Sequence, residues 1–306
     1  MPALTELRLQ DSIPDDSDGP STYPVVDLPY LRLLDISSGV GALTAVLRHI
    51  TFPHSAILSL TCIENQSIQI DFSNFLSVLA TKFLSSLVIR SLSLQVSRDA
   101  QIDGLEFYCT TAIIEECSPF PLSFYSQLQL ALKWPWPQRD NHAKALTCAF
   151  NAMSLPFLTQ LHLSTFNYID SQTLVKTFGK LPLLERVDIE ADAGTTHQFL
   201  EALVYKTKAA EISKTAAYHN VSFPKLRYIL LEEVEFGART SGSLSVDMLL
   251  DYLMERCERK AEVQVLRLDH CHNISSDDVK RLKEIVVDVI FNGFGWDCDY
   301  DFILSS

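Results

Sequence analysis

The sequence lacks the features of membrane and secreted proteins. No span approaches the roughly 20 consecutive apolar residues that a helix needs to cross a bilayer. The N-terminus, MPALTELRLQDS, has no basic stretch followed by an apolar one, so it does not predict a signal peptide. We therefore expect a cytoplasmic or nuclear protein without a membrane partner.

Basic residues are also scarce. The chain of 306 residues has 25 Lys and Arg against 38 Asp and Glu, a formal net charge of −13. Binding to nucleic acid needs a face rich in Lys and Arg, and so does binding to an acidic membrane surface. Nucleic acid is therefore not an expected partner, whereas an acidic protein attracts basic protein surfaces.

Catalytic and metal-binding motifs are missing as well. The sequence contains no GxSxG, no HExxH and no Cys with an evident His partner. The seven cysteines are scattered and mostly flanked by apolar residues, which favours reduced core thiols over disulfides. We expect no catalytic residue, no metal and no cofactor.

Two short stretches resemble metal sites without meeting their requirements. His270, Cys271 and His272 are adjacent and cannot all converge on one tetrahedral ion, so Cys271 is better explained as a buried turn residue. The alternating aspartates of WDCDYDF, residues 296 to 302, match the start of a calcium loop, but Phe302 stands where such a loop needs Gly. A terminal strand with acidic residues facing water is the preferred interpretation.

What the chain does contain is a repeat, together with a hydrophobic content of 47% that is ample for a core. Each clear copy has Pro at position two and apolar residues at positions four, seven and nine. The clear copies are MPALTELRL, LPYLRLLDI, LPFLTQLHL, LPLLERVDI and FPKLRYILL. With looser copies, about nine units begin near residues 1, 28, 52, 86, 122, 155, 181, 223 and 260.

The residues between the apolar positions decide the fold class. In a strand, positions seven and nine share one face and positions six, eight and ten share the other. The second set is mostly polar: Glu6, Arg8, Gln10; Leu33, Asp35, Ser37; Gln160, His162, Ser164; Arg186, Asp188, Glu190; Val265, Arg267, Asp269. Central strands of a doubly wound sheet are apolar on both faces. We therefore predict an α/β leucine-rich-repeat solenoid: a curved horseshoe with parallel strands on the concave face, helices on the convex face and irregular repeats.

The predicted solenoid is a single domain over residues 1–306 with two irregular parts. DSIPDDSDGPSTYP, residues 11–24, reads as a flexible acidic loop. Residues 87–136 are expected to be strand-rich, with a turn at Asp103-Gly104 and less helix behind the strands. Three-four apolar spacing predicts helices from Asn74, Leu174, Phe199 and Met248, with N-caps at Asp170 or Ser171, Thr195 and Ser245, and a capping box of Ser275 with Asp278.

The unit VQVLRLDHCHNISSDDVKRLKEIV resembles the cysteine-containing leucine-rich repeat found behind F-boxes in ubiquitin-ligase receptors. The matching residues are Leu266, Leu268, Cys271, Ile274, Asp277 or Asp278, Val279 and Leu282. The wider pattern, including LALKWPWP, is similar to the C-terminal region of fungal F-box-like proteins. The resemblance implies a substrate-recognition module. The sequence shows no F-box-like segment, so docking on a Skp-family adaptor is not expected.

The predicted function is noncatalytic protein recognition through the concave face. The candidate binding residues combine charge with the aromatic and Arg types that often carry binding energy. They are His162, Arg186, Asp188, Glu190, Tyr228, Glu232, Arg267 and Asp269. Trp134 and Trp136 in KWPWP are either a binding anchor or a cover over the strands that replace a helix. The mixed charges favour a protein partner.

The alternative is an α/β enzyme. LPYLRLLDISSGVGAL, residues 28–43, resembles the strand, glycine turn and helix that open a nucleotide-binding unit, with Gly39 and Gly41 at the turn. Only two of the three fingerprint glycines are present. This alternative predicts strands buried on both faces, whereas the solenoid predicts exposure of Arg8, Asp35, His162, Asp188 and Arg267.

Overall fold

The computed structural model describes residues 3–10, 24–64, 71–98, 101–113, 126–135, 140–164, 169–205, 221–237 and 244–292. The predicted loop at 11–24 lies outside these ranges except for its last residue, and the WDCDYDF stretch lies entirely outside them. The chain divides into two compact units, Met1–His162 and Leu163–Ser306.

The first unit contains most of the strands. They are β1 Glu6–Gln10, β2 Val26–Asp27, β3 Leu33–Gly39, β4 Ile50–Thr51, β5 Ile57–Ile63, β6 Ser91–Arg98, β7 Ile102–Thr110 and β8 Leu128–Pro135, and β9, Gln160–Ser164, contains the boundary. Its helices are α1 Val40–His49, α2 Ser73–Lys82 and α3 Asp140–Ala152, with a 3₁₀ turn at Leu84–Ser86. The strand order is β1-β3-β5-β8-β7-β6, and β2 pairs with β4 separately. Strands β1, β3, β5 and β8 are parallel, while β6 and β7 form an antiparallel hairpin whose second strand is antiparallel to β8.

The second unit alternates strands and helices. In chain order it contains α4 Ser171–Phe178, β10 Arg186–Glu190, α5 Ala193–Val204, β11 Tyr228–Glu232, α6 Val246–Glu258, β12 Val265–Asp269, α7 Ser276–Lys283 and β13 Asp288–Asn292. The four strands β10 to β13 are parallel and lie in sequence order. Consecutive helices pack against each other.

The architecture is therefore α/β with mostly parallel strands, which confirms that level of the sequence prediction. Alternation along each strand builds the core: Val187 and Ile189 of β10, like Leu34 and Ile36 of β3, are 0% exposed. The residues between them are half-exposed or exposed, so one face of β3 and of β10 is packed and the other meets water. No helix within the described ranges is long and apolar enough to cross a membrane.

Local capping chemistry places the helix starts. The Asp170 carboxylate accepts a hydrogen bond from the Thr173 N–H at 2.6 Å, and Ser245 caps α6 in the same way. Ser275 and Asp278 form the predicted capping box of α7. The prediction of Thr195 as an N-cap is wrong: Asp192 is the cap and accepts from the Thr195 N–H at 2.8 Å. A carboxylate three residues ahead is a better acceptor than a hydroxyl that already lies in the first turn.

Several elements have no counterpart in the sequence prediction, among them the short paired strands β2 and β4. Helix α3 follows β8 directly, and β13 adds a fourth parallel strand to the second unit. In β13, Val289 is buried and the neighbouring Ile290 is half-exposed. This alternation comes after helix α7, just as the other strands of the unit come after a helix, so it could have predicted a strand.

A buried arginine ties three segments of the second unit together. Arg256 of α6 is 0% exposed. Its Nε donates to the Ala261 carbonyl at 3.0 Å, and its Nη atoms donate to the carbonyls of Leu203, Ser222 and Phe223 at 3.3, 2.9 and 3.0 Å. Leu203 lies in the last turn of α5, where carbonyls have no intrahelical partner. The guanidinium thus caps the C-terminal end of α5 and links it to the segment before β11. Burial lowers the pKa of Arg256 to about 10.

The five cysteines in the described ranges are free thiols, and three of them are buried. Burial raises the pKa of Cys109 to about 12 and that of Cys271 to about 11, from an ordinary 9.0. At pH 8 we expect iodoacetamide to label both far more slowly in the folded protein than in urea, while the partly exposed Cys148 reacts sooner. Mass spectrometry of each cysteine peptide measures this, and equal folded and unfolded rates at Cys109 would contradict it.

The raised pKa values of these two thiols also make the free energy of unfolding depend on pH. Below pH 9 both states keep the thiol protons, so the contribution is fully present. Above pH 9 the unfolded chain loses these protons while folded Cys109 and Cys271 retain theirs toward pH 11, so the free energy of unfolding falls as pH rises. Urea titrations at pH 8 and pH 10 measure the slope, which is expected to decrease in a Cys109→Ala variant.

Candidate protein-recognition face

The strands of the second unit present an ordered set of outward-facing side chains, most of them polar, called here the strand face. Register places its members in three rows across β10 to β13: Arg186, Tyr228, Val265 and Asp288; Asp188, Leu230, Arg267 and Ile290; Glu190, Glu232, Asp269 and Asn292. All are half-exposed or exposed except Asp269, which is 8% exposed. The opposite sides of the same strands are packed in the core.

Arg186 is held in place on the strand face by two neighbours. Its Nε donates to both carboxylate oxygens of Asp188, at 2.8 and 3.0 Å. Residues two apart in a strand share a face, which makes this pairing local. Its guanidinium carbon lies 4.4 Å from the centre of the Tyr228 ring, a cation–π arrangement across the two strands. The three side chains form a rigid, partly exposed cluster.

Arg267 is fixed by a second, similar arrangement. Its Nε donates to Asp269 Oδ2 at 2.7 Å, and Asn292 Nδ2 donates to Asp269 Oδ1 at 2.9 Å. The hydrogen bond to Asp269 raises the pKa of Arg267, and the Tyr228 hydroxyl adds to the shift. Arg267 therefore remains charged, and Tyr228 lies between two arginines.

The row at the ends of the strands is acidic. Glu190, Glu232 and Asp269 lie side by side there, and His270 Nδ1 is 3.9 Å from Glu232 Oε1. The strand face has two arginines against five carboxylates: Arg186 and Arg267 against Asp188, Glu190, Glu232, Asp269 and Asp288. Its net charge is negative, so it attracts a positively charged surface.

The structure gathers seven of the eight predicted binding residues on the strand face of the second unit. The eighth, His162, is half-exposed on β9 and belongs to the first unit. Sequence reasoning missed Asp288, Ile290 and Asn292, because β13 was not predicted, and it left out Leu230, whose apolar character hid its outward position.

Five residues distinguish the predicted solenoid from the alternative of a nucleotide-binding enzyme, because only the solenoid predicts their exposure, and none of them is buried. Arg8 is exposed, and Asp35, His162, Asp188 and Arg267 are half-exposed. A strand covered by helices on both faces would bury Asp35.

The glycine turn of the nucleotide alternative has an ordinary backbone. Gly39 ends β3 with φ −60° and ψ 155°, an extended conformation open to any residue, and α1 begins after it. Gly41 lies within α1. The turn is thus a simple strand-to-helix connection.

Trp134 is a core residue. It is 0% exposed, its ring stacks edge-on against His142 with centroids 4.9 Å apart, and Phe72 lies 6.3 Å away. A side chain without exposed surface cannot anchor a partner, so this corrects the anchor interpretation of Trp134 in favour of the cover. Trp136 lies outside the described residues.

The His270-Cys271-His272 stretch bends after β12 and forms an isolated bridge between His272 and Glu235. His270 has φ 53°, and the buried Cys271 thiol donates to the Leu231 carbonyl at 3.3 Å. Among the described residues there is no group of three or more His, Cys, Asp or Glu side chains arranged to hold a metal.

One cleft of the second unit is polar. It has a volume of about 340 Å³ and is lined by Asp247 and Asp278 in the first turns of α6 and α7 and by Arg281 in the last turn of α7. Arg281 donates to both carboxylates, at 2.7 and 3.2 Å, so the cation of this cleft is already neutralised. That pairing gives the cleft a structural role between the two helices.

The chain matches no protein-family model, and no curated protein is significantly similar to it in sequence.

Proposed function

We propose that the chain is a noncatalytic protein-recognition module that binds its partner on the strand face of the second unit. The observation that carries the proposal is the grouping of Arg186 and Tyr228 in one row with Arg267 in the next row, each fixed by neighbours yet partly exposed. Pre-positioned Arg and Tyr side chains bind without losing further conformational freedom, which is what interface hot spots require.

The charge of the strand face supports a partner with a basic surface. The arginines are paired with Asp188 and Asp269 in their own strands, and the acidic row adds Glu190 and Glu232. An incoming Lys or Arg side chain gains from this excess of carboxylates, and the Tyr228 ring supplies apolar contact.

The finer proposal is that the fold is a leucine-rich-repeat solenoid related to the substrate-binding part of F-box-type ubiquitin-ligase receptors. Its support is the repeated LxL strand pattern, the Cys271 turn and the alternation of parallel strand and helix through the second unit. On this proposal the module acts without a cofactor in the cytoplasm or nucleus.

Charge reversal on the strand face tests the proposal. We expect a Glu190→Lys, Glu232→Lys double variant to lose wild-type partners in affinity capture from the native cell, with at least about a tenfold fall in affinity when a captured partner is purified. Both side chains are partly exposed, so folding should change by no more than about 0.5 kcal/mol. Adaptor and cullin peptides are scored separately from other partners by mass spectrometry.

The matched control reverses charge away from the strand face. An Asp251→Lys, Glu258→Lys variant alters two exposed residues of α6 by the same total charge and should retain the partners. If both variants lose the same proteins, binding depends on overall charge, and if neither loses any, the strand face is not the binding surface.

A further inference from the structure

At Glu6 and Arg8 the outer edge of β1 pairs with no other strand in the part of the chain that the structure describes. β1 ends the strand order of the first unit and bonds only to β3. Its apolar side chains are also poorly covered: Leu7 and Leu9 are half-exposed, whereas Leu34 and Ile36 at the matching positions of β3 are 0% exposed. An open edge with exposed apolar residues is a template for another strand.

The hydrogen bonds of β1 decide which backbone groups point outward. The Thr5 carbonyl accepts from the Leu33 N–H of β3 at 3.2 Å. Because successive residues of a strand direct their N–H and C=O groups to opposite edges, the odd-numbered residues of β1 bond to β3. Glu6 and Arg8 therefore direct their backbone groups to the open edge.

These outward residues are self-complementary. A second copy of β1 running antiparallel must align even-numbered residues with even-numbered ones to form hydrogen bonds. Alignment of Glu6 with Glu6, or of Arg8 with Arg8, sets like charges directly opposite each other, which is unfavourable. Centring the pair on Leu7 sets each Glu6 opposite the Arg8 of the other copy, and each such pair exchanges both backbone hydrogen bonds.

The same register brings apolar groups together. Leu7 meets Leu7 of the second copy at the centre, in the closely spaced type of pair, and Leu9 meets Thr5. Tyr30, 61% exposed, lines a cleft with Thr5 at the beginning of the strand and adds apolar surface there.

Charges on an edge strand usually prevent pairing with another strand. The charges of β1 differ, because they are of opposite sign. Residues of one sign repel a second copy in every register, whereas a Glu and an Arg two positions apart attract it in one. In the single chain Arg8 Nη2 lies 3.4 Å from Glu6 Oε2, with the side chains 62% and 60% exposed, so both are accessible. We propose that two copies of the chain associate through antiparallel pairing of their β1 edges, with Glu6 of each copy against Arg8 of the other.

Charge exchange across the edge tests the proposal. Sedimentation equilibrium of the full chain, up to about 200 µM, should show a reversible dimer. Arg8→Glu alone and Glu6→Arg alone set like charges opposite each other, so each should weaken self-association at least about tenfold. Mixed in equal amounts, the two single variants complement each other at every position and should form a heterodimer at least as tight as the wild-type dimer.

The controls exclude an effect of net charge or of misfolding. Arg227→Glu changes the charge of the chain equally at an exposed position in the second unit and should dimerise like the wild type. Recovery in the mixture shows that both single variants are folded. A monomeric wild type, single variants that dimerise normally, or a mixture that stays monomeric would each overturn the proposal.

Discussion

Replacing Arg256 by Met is expected to cost the protein about 3 to 5 kcal/mol of unfolding free energy. The variant leaves the carbonyls of Leu203, Ser222 and Ala261 without the guanidinium donor in a buried site, and that of Phe223 with the Leu226 N–H alone. A buried acceptor that loses a charged donor bears its full desolvation penalty, which exceeds the gain from removing a buried charge. Urea unfolding followed by circular dichroism measures the loss.

Two further variants locate the cause of that loss. Arg256→Lys keeps the charge but offers its donors from one atom, so it cannot span four carbonyls and should recover only part of the stability. Arg259→Met removes the arginine at the C-cap of the same helix, which pairs with the partly exposed Glu255, and it should cost no more than about 1 kcal/mol. An Arg256→Met variant within that same range would show that the four hydrogen bonds contribute little.

Truncation of Trp134 to Ala is expected to destabilise the first unit by about 3 to 5 kcal/mol, because the indole fills the space between β8, Phe72 and His142. A surface anchor would behave in the opposite way, with lost binding and unchanged stability. Hydrogen exchange of the β7 and β8 amides, read by mass spectrometry, should rise in this variant.

The Trp134→Phe variant distinguishes the effect of lost side-chain volume from the effect of the lost indole N–H. Among the described residues, nothing accepts a hydrogen bond from the buried Trp134 Nε1. Phe keeps an aromatic ring against His142 and removes that unsatisfied donor, so it should cost no more than about 1.5 kcal/mol. The exposed Phe157→Ala is the matched control, with an expected change within about 0.5 kcal/mol. Equal losses for Trp134→Ala and Trp134→Phe would show that the indole N–H has a partner after all.

Strand alternation and helix capping were predictable because both are local. The outward positions Asp188 and Arg267 follow from a period of two residues, and the capping box of Ser275 and Asp278 from a spacing of three. The failure at Thr195 has a local cause as well, since two acceptors, Asp192 and Thr195, lay within one turn of each other.

Contacts between distant segments were not predictable from the sequence. Arg256 lies 53 residues from Leu203 and 34 from Ser222, and no periodicity marks it as different from Arg259. The same holds for Trp134, whose burial depends on Phe72 and on the His142 ring of α3.

The sequence by itself determined the α/β class and the polar side of each strand, because these depend on residue spacing and on hydrophobic burial within a few residues. Tertiary structure alone decided that Arg186, Tyr228 and Arg267 lie in adjacent rows across β10 to β12, that Trp134 is enclosed, and that the edge of β1 directs Glu6 and Arg8 outward. The physical reason is that register and packing are set by contacts between residues far apart in the chain, which no local pattern specifies.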